Sequence, residues 1–192
     1  MTASWSKTKK NLENLEKSQL IEILGELFTK VPEARDFLFV RFQNDSLKSV
    51  LEKYKKLIEN EFFPSRGFGK LRIKSVKKAI SDYKKISGDP RGTLNLMLVF
   101  LENGISFFNQ YGDISESAID SMFSTMNALS KDLSKVVNLN CISLFRERLL
   151  GLQKECCGVG YGLGDEISCQ IDDLLKLIPK AKKIKDRELI IA

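Results

Sequence analysis

Apolar residues in this chain recur at intervals of three and four almost from end to end, the spacing that puts them on one face of an α-helix. The clearest stripe is Leu47, Val50, Leu51, Tyr54, Leu57, Ile58 and Phe62, entered at Ser46 and closed by Pro64. No strand-type alternation of useful length interrupts the pattern, so the expected fold is all-α. Ser18 is a good cap for a helix bearing Leu20, Ile21, Leu24, Leu27 and Phe28, with Leu12 and Leu15 extending the stripe upstream. Pro32 suits the first turn of the next helix, which carries Phe37, Leu38 and Val40. After the break at 65–69, Ile73, Val76, Ile80 and Tyr83 mark a fourth helix, and Gly88-Asp89-Pro90 a turn.

The segment 93–110 differs from the others. Leu94, Leu96, Met97, Leu98, Val99, Phe100, Leu101, Ile105, Phe107 and Phe108 make it apolar nearly all round, which places it at the centre of a bundle. Gly104 inside it costs about 1 kcal/mol relative to alanine, a cost that close approach of a neighbouring helix would explain. Three further helices follow. Ile119, Met122, Phe123, Met126, Leu129 and Leu133 mark the first, capped by Ser115. Leu139, Ile142, Phe145, Leu149 and Leu152 mark the second, and Ile167, Ile171, Leu174, Leu175 and Ile178 the third, ended by Pro179. About eight helices are therefore expected, in a single bundle or a short HEAT-like stack of helix pairs around 93–110. Residues 1–179 form one domain in this reading, and 180–192 a basic tail.

The chain contains no histidine, which removes the side chain that most often serves as general base or metal ligand near neutral pH. Cys141, Cys156, Cys157 and Cys169 have no zinc-type or disulfide-type spacing, so reduced, packing cysteines are expected, with no metal and no cofactor. Met1-Thr2-Ala3-Ser4-Trp5 runs into lysines rather than an apolar stretch, and no apolar run approaches the roughly 18 residues of a membrane span. A cytoplasmic protein without membrane contact is the expectation.

Charge is unevenly distributed. Arg66, Lys70, Arg72, Lys74, Lys77, Lys78, Lys84 and Lys85 face Asp82 alone, and a second basic cluster runs from Lys176 to Arg187. The net charge of the whole chain is +6, so the remainder is acidic. Ser65-Arg66-Gly67-Phe68-Gly69-Lys70-Leu71-Arg72 combines glycines, cations and one aromatic ring, a composition able to follow a phosphate backbone and stack a base. Arg66, Lys70, Arg72, Lys74, Lys77 and Lys78 are thus the candidate polyanion site, with a solvated helix face as the plainer reading. Glu102 sits in the most apolar helix and, with Asp113, is the candidate buried acidic site. The lysines of the fourth helix are its expected partners. The run Gly158-Val159-Gly160-Tyr161-Gly162-Leu163-Gly164 lacks the preceding strand and the lysine of a phosphate loop, and Asp165 and Glu166 stand where an anion would bind. It reads as a structural turn. A non-enzymatic module binding an unidentified protein or peptide comes first among the functions, nucleic-acid or other polyanion binding second, and an enzyme third.

Several runs carry a resemblance. They are Tyr54-Lys55-Lys56-Leu57-Ile58-Glu59-Asn60-Glu61-Phe62-Phe63-Pro64, Ser75 to Lys84, Glu102-Asn103-Gly104, Tyr111-Gly112-Asp113-Ile114 and Gly158-x-Gly160-Tyr161-Gly162. Their order resembles a family of small all-helical bacterial proteins known only as a domain of unknown function. The resemblance covers roughly Ser6 to Leu175. It implies a bacterial cytosolic protein and brings no activity, cofactor or catalytic residue. The tail after Pro179 lies outside it.

Overall fold

A computed structural model of the chain describes residues 4–43, 46–112, 114–135 and 139–177, without the side chains of 134, 135 and 139–144. Among these residues there are nine helices and no strand: α1 (Trp5–Glu13), α2 (Lys17–Lys30), α3 (Pro32–Phe42), α4 (Ser46–Phe62), α5 (Ile73–Ser87), α6 (Pro90–Tyr111), α7 (Glu116–Lys135), α8 (Leu139–Glu155) and α9 (Leu163–Leu177). The chain divides into two compact units, Met1–Val50 and Leu51–Ala192, with the boundary inside α4.

In the first unit, α1 and α2 are separate helices, not one extended stripe. The break falls at Asn14, Leu15 and Glu16 because the cap of α2 is Glu16 rather than Ser18. The Glu16 carboxylate accepts from the backbone of Gln19, while the Glu16 N–H donates to Oε1 of Gln19 at 2.9 Å. This reciprocal pair satisfies two helix-end donors, and a lone serine would satisfy one. Helices α2 and α3 pack together through a tight junction at Val31 and Pro32. Arg35 fastens it, donating from Nε to the carbonyl of Phe28 at 2.9 Å and from Nη2 to that of Thr29 at 3.1 Å. No residue of α1 or α2 is buried.

In the second unit, α6 is central. It packs on α5, α7 and α8, and α9 closes the far side against α7 and α8. Phe62 at the end of α4 meets the rings of Phe100 and Phe107 of α6 at 5.9 and 6.2 Å. Leu96, Leu98, Phe100, Leu101 and Ile105 are fully enclosed. The helix begins at Pro90, earlier than the periodicity suggests. Asp89 caps it, accepting from the N–H of Arg91 and Gly92 at 2.9 Å each, and from the Tyr83 hydroxyl at 3.0 Å. Burial and the Asp89 carboxylate both push the Tyr83 phenol pKa up. Gly104 has the predicted role: a Cβ there would stand 2.8 Å from Sδ and Cε of Met122 on α7.

The glycine run after α8 is a turn. Gly158, Tyr161 and Gly162 take left-handed backbone conformations at φ 89°, 59° and 70°. Pro179 and the basic tail lie outside the described residues. No helix among those described is long and apolar enough to cross a membrane.

Candidate binding cleft over the central helix

One strip of α6 is not fully covered by its neighbours, and it carries the polar residues Glu102, Asn103 and Ser106. Glu102, Asn103 and Ser106 form the floor of an open cleft of about 350 Å³. Arg148, Gly151, Leu152 and Glu155 of α8 make one wall, and Phe63 stands on the other side. Arg148 crosses from α8 to α6. Its Nε donates to Oε1 of Glu102 at 2.8 Å, its Nη2 to Oε2 at 2.6 Å, and its Nη1 to Oδ1 of Asn95 at 2.6 Å. A two-point guanidinium–carboxylate contact with a third donor fixed on an amide holds its plane in one orientation. Asn109 adds a second cross-link, donating from Nδ2 to the carbonyl of Glu155 at 2.8 Å. Asn103 donates from Nδ2 to the carbonyl of Val99, one turn back on its own helix, at 2.7 Å.

The expected environment of Glu102 is therefore corrected in two respects. Its partner is Arg148 of α8, not a lysine of α5, because α8 packs on α6 and brings the Arg148 guanidinium onto Glu102. Glu102 is also not buried: its side chain is 30% exposed at the cleft floor. Asp113, its expected companion, lies outside the described residues.

An aromatic cluster adjoins the cleft. Phe63 meets Phe107 at 5.8 Å between centroids, Phe68 meets Phe107 at 5.5 Å and Tyr111 at 4.9 Å, and Phe107 meets Tyr111 at 4.6 Å. Phe68 is nevertheless 62% exposed, at the tip of the loop from Pro64 to Arg72. That loop is tied to the last turn of α4. Leu71 donates its N–H to the Glu61 carbonyl at 2.9 Å, and the Arg72 N–H donates to Oε2 of Glu61 at 3.1 Å. Arg72 Nη2 donates to Oε1 of Glu61 at 2.6 Å. Those hydrogen bonds hold the buried Glu61 carboxyl below its ordinary pKa. Gly69 lies so close to the carbonyls of Glu61 and Phe62 that a Cβ would collide with both.

The candidate polyanion residues are all exposed, and none lines the cleft. Arg66 and Lys70 flank Phe68 in the loop, Arg72 precedes α5, and Lys74, Lys77 and Lys78 lie on α5. Several cations of the segment are engaged with carboxylates: Arg72 with Glu61, Lys78 with Asp82 at 2.7 Å, and Lys84 with Asp132 at 3.7 Å. Of the second basic cluster, Lys176 is paired with Asp173 at 2.8 Å, and residues from 178 on lie outside the described part.

Sequence reasoning did not single out Arg148, Asn95 or Glu61. Glu61 carried a signal: it falls one heptad after Tyr54 and three residues after Ile58, on the apolar stripe of α4. Asn95 is likewise a polar residue inside the apolar run of α6. Among the described residues no group of histidine, cysteine or carboxylate side chains is arranged to hold a metal. Cys156, Cys157 and Cys169 are free thiols, and burial, with Cys157 and Glu155 nearby, pushes Cys156 up to about 12.

The geometry defines a class, an all-helical protein with a rigid polar cleft and an aromatic shoulder. The model of a family of unknown function, DUF6155, matches residues 3–164, and the chain belongs to that family. The match takes in the cleft, the loop and the glycine turn, and ends at the start of α9. No curated protein and no solved structure matches the chain.

Proposed function

We propose that this chain is a non-enzymatic helical module that seats a segment of a protein or peptide partner in the cleft over α6. The observation that carries the reading is the pairing of an open cleft, floored by an immobilised Arg148–Glu102 contact, with the exposed ring of Phe68 beside it. Arginine and aromatic side chains are the groups that most often anchor protein interfaces. Asn103, Ser106 and Glu155 add hydrogen-bonding groups of the kind a peptide backbone uses. Both oxygens of Glu102 already accept from Arg148, which suits a recognition element better than an acid catalyst. A bacterial cytoplasmic setting belongs to the same proposal. Cys156, buried among apolar side chains, uses its thiol as a small packing group, as proteins of reducing compartments commonly do.

The test uses Gly151, where a Cβ would meet no atom within 4 Å. Gly151→Phe should fill the cleft and leave the fold intact. A random peptide library is selected on the parent, then scored on G151F and on Phe68→Ala. Loss of binding in both variants is the expected result. Peptides that bind all three proteins equally, or an unproductive selection, would refute the cleft as the site.

Polyanion binding is the second reading, supported by the exposure of Phe68 between Arg66 and Lys70. Arg72 is a poor residue to reverse, since a glutamate there would abandon the buried Glu61 carboxylate. Arg66→Glu with Lys70→Glu and Lys74→Glu is the cleaner variant. Oligonucleotide binding that weakens with salt by roughly one power per phosphate contact and disappears in that variant would favour this reading.

A further inference from the structure

We propose that the cleft over α6 takes a basic side chain of its partner, a lysine or an arginine, and that the Glu155 carboxylate receives its charge. The proposal rests on the cleft reading above and adds the chemistry of the group that enters. An arginine in a cleft ordinarily marks an anion site, and Arg148 invites that assignment. Its hydrogen bonds argue against it. Nε and Nη2 are both engaged by the Glu102 carboxylate, at 2.8 and 2.6 Å, and Nη1 by the Asn95 amide oxygen at 2.6 Å. Glu102 thus already balances the guanidinium charge. An entering anion would have to compete with a two-point carboxylate built into the same wall and floor.

Glu155 is not balanced in this way. It lines the cleft from α8, and its carboxylate is paired with no cation among the described residues. Its structural task is done by its backbone, whose carbonyl accepts from Nδ2 of Asn109 at 2.8 Å. Lys154 stands next to it in sequence but does not line the cleft. Successive helical residues point about 100° apart, whereas Arg148, Gly151, Leu152 and Glu155 share one face. One cation against two carboxylates leaves the cleft with a net negative charge.

The uncharged lining agrees. Nδ2 of Asn103 is committed to the Val99 carbonyl, so what this amide has left to offer a cation is its oxygen. The Ser106 hydroxyl can accept as well. Phe63 adds an aromatic ring, whose face attracts a cation and repels an anion. Size points to a side chain: a volume of about 350 Å³ is at the lower end of the roughly 300–1,000 Å³ of sites that enclose a whole small molecule. At Gly151 a Cβ would meet no atom within 4 Å, and that space suits the aliphatic stem of a lysine or arginine. The two N–H groups that Arg148 has left are donors for carbonyls of the partner's backbone.

The experiment selects a random peptide library on the full chain and takes as cleft ligands the peptides lost on Gly151→Phe. These should share a lysine or arginine at one position. Glu155→Gln keeps the shape and an acceptor and removes the charge at an exposed side chain, so helical circular dichroism should not change. It should weaken the cleft ligands by about 10-fold. Replacing the shared basic residue by its uncharged isostere (norleucine for lysine, citrulline for arginine) should weaken binding to the parent by a similar factor and have little further effect on E155Q. Cleft ligands without a common cation, or ligands that bind E155Q as tightly as the parent, would overturn the proposal and leave the cleft reading standing. A selection that yields no peptide sensitive to G151F would refute the cleft reading itself, and the proposal with it.

Discussion

Gly104→Ala tests why the central helix contains a glycine. In isolation the substitution favours the helix by about 1 kcal/mol. In the folded protein the new Cβ stands 2.8 Å from Sδ and Cε of Met122, and Met122 is fully enclosed. The thioether end is flexible and must move by several tenths of an ångström into a core without free space. Overpacking of this kind costs about 1–3 kcal/mol, so the net effect should lie between neutrality and a loss of about 2 kcal/mol. Truncating the obstacle removes the conflict. Met122→Ala alone should cost about 2–5 kcal/mol, and in that background G104A should stabilise by about the full helix propensity. The double-mutant cycle therefore carries a coupling of roughly 1–3 kcal/mol. Urea melts followed by circular dichroism measure all four proteins, with the m-value checked for constancy. A coupling within a few tenths of a kcal/mol would refute the reasoning, as would a stabilising G104A in the parent.

Leu98→Ala or Leu101→Ala, both at enclosed positions of α6, should cost about 2–5 kcal/mol in the same melts. The pH dependence should show the Glu61–Arg72 contact. Its carboxyl pKa is lowered on folding, so the stabilisation is complete above the unfolded value of about 4.3 and is lost as pH falls through the folded value. Glu61→Gln should accordingly flatten the acid limb of a stability–pH profile below about pH 5. Titration with a thiol-specific dye near pH 8 should modify the exposed Cys157 and Cys169 readily, while Cys156, buried and raised to about 12, should react only on unfolding.

The fold class, the central helix and the reason for Gly104 were legible because each depends on local pattern. A helix apolar on all sides has one place in a bundle, and a glycine within it has few uses. The ends were less legible. The gap between α1 and α2 contains no glycine or proline, so nothing in composition marks it, and the Glu16–Gln19 exchange becomes evident only once the helix is formed. The cleft was half legible. Glu102 stood out as an acid in an apolar run, but its partner lies 46 residues along the chain, where no periodicity argument reaches. Proximity in sequence favoured the lysines of α5, whereas packing put α8 across the polar strip. Phe68 was noticed for its neighbours in sequence, and its contacts with Phe107 and Tyr111 depend on how the loop folds back.

That fold-back has a kinetic consequence. Loops rich in glycine usually lose conformational entropy when they bind, which weakens the complex and slows its formation. Here Glu61 binds the far end of the loop at three points, and Gly69 wedges its middle against the end of α4. The ring of Phe68 is thus preorganised before any encounter. A ligand that uses it has no ordering step to wait for, so association should be fast and similar among related ligands, and differences in affinity should lie in residence time. Replacing Gly67, whose φ of 78° has open space around it, would strain the loop without blocking the ring. Such a change should slow binding rather than hasten release.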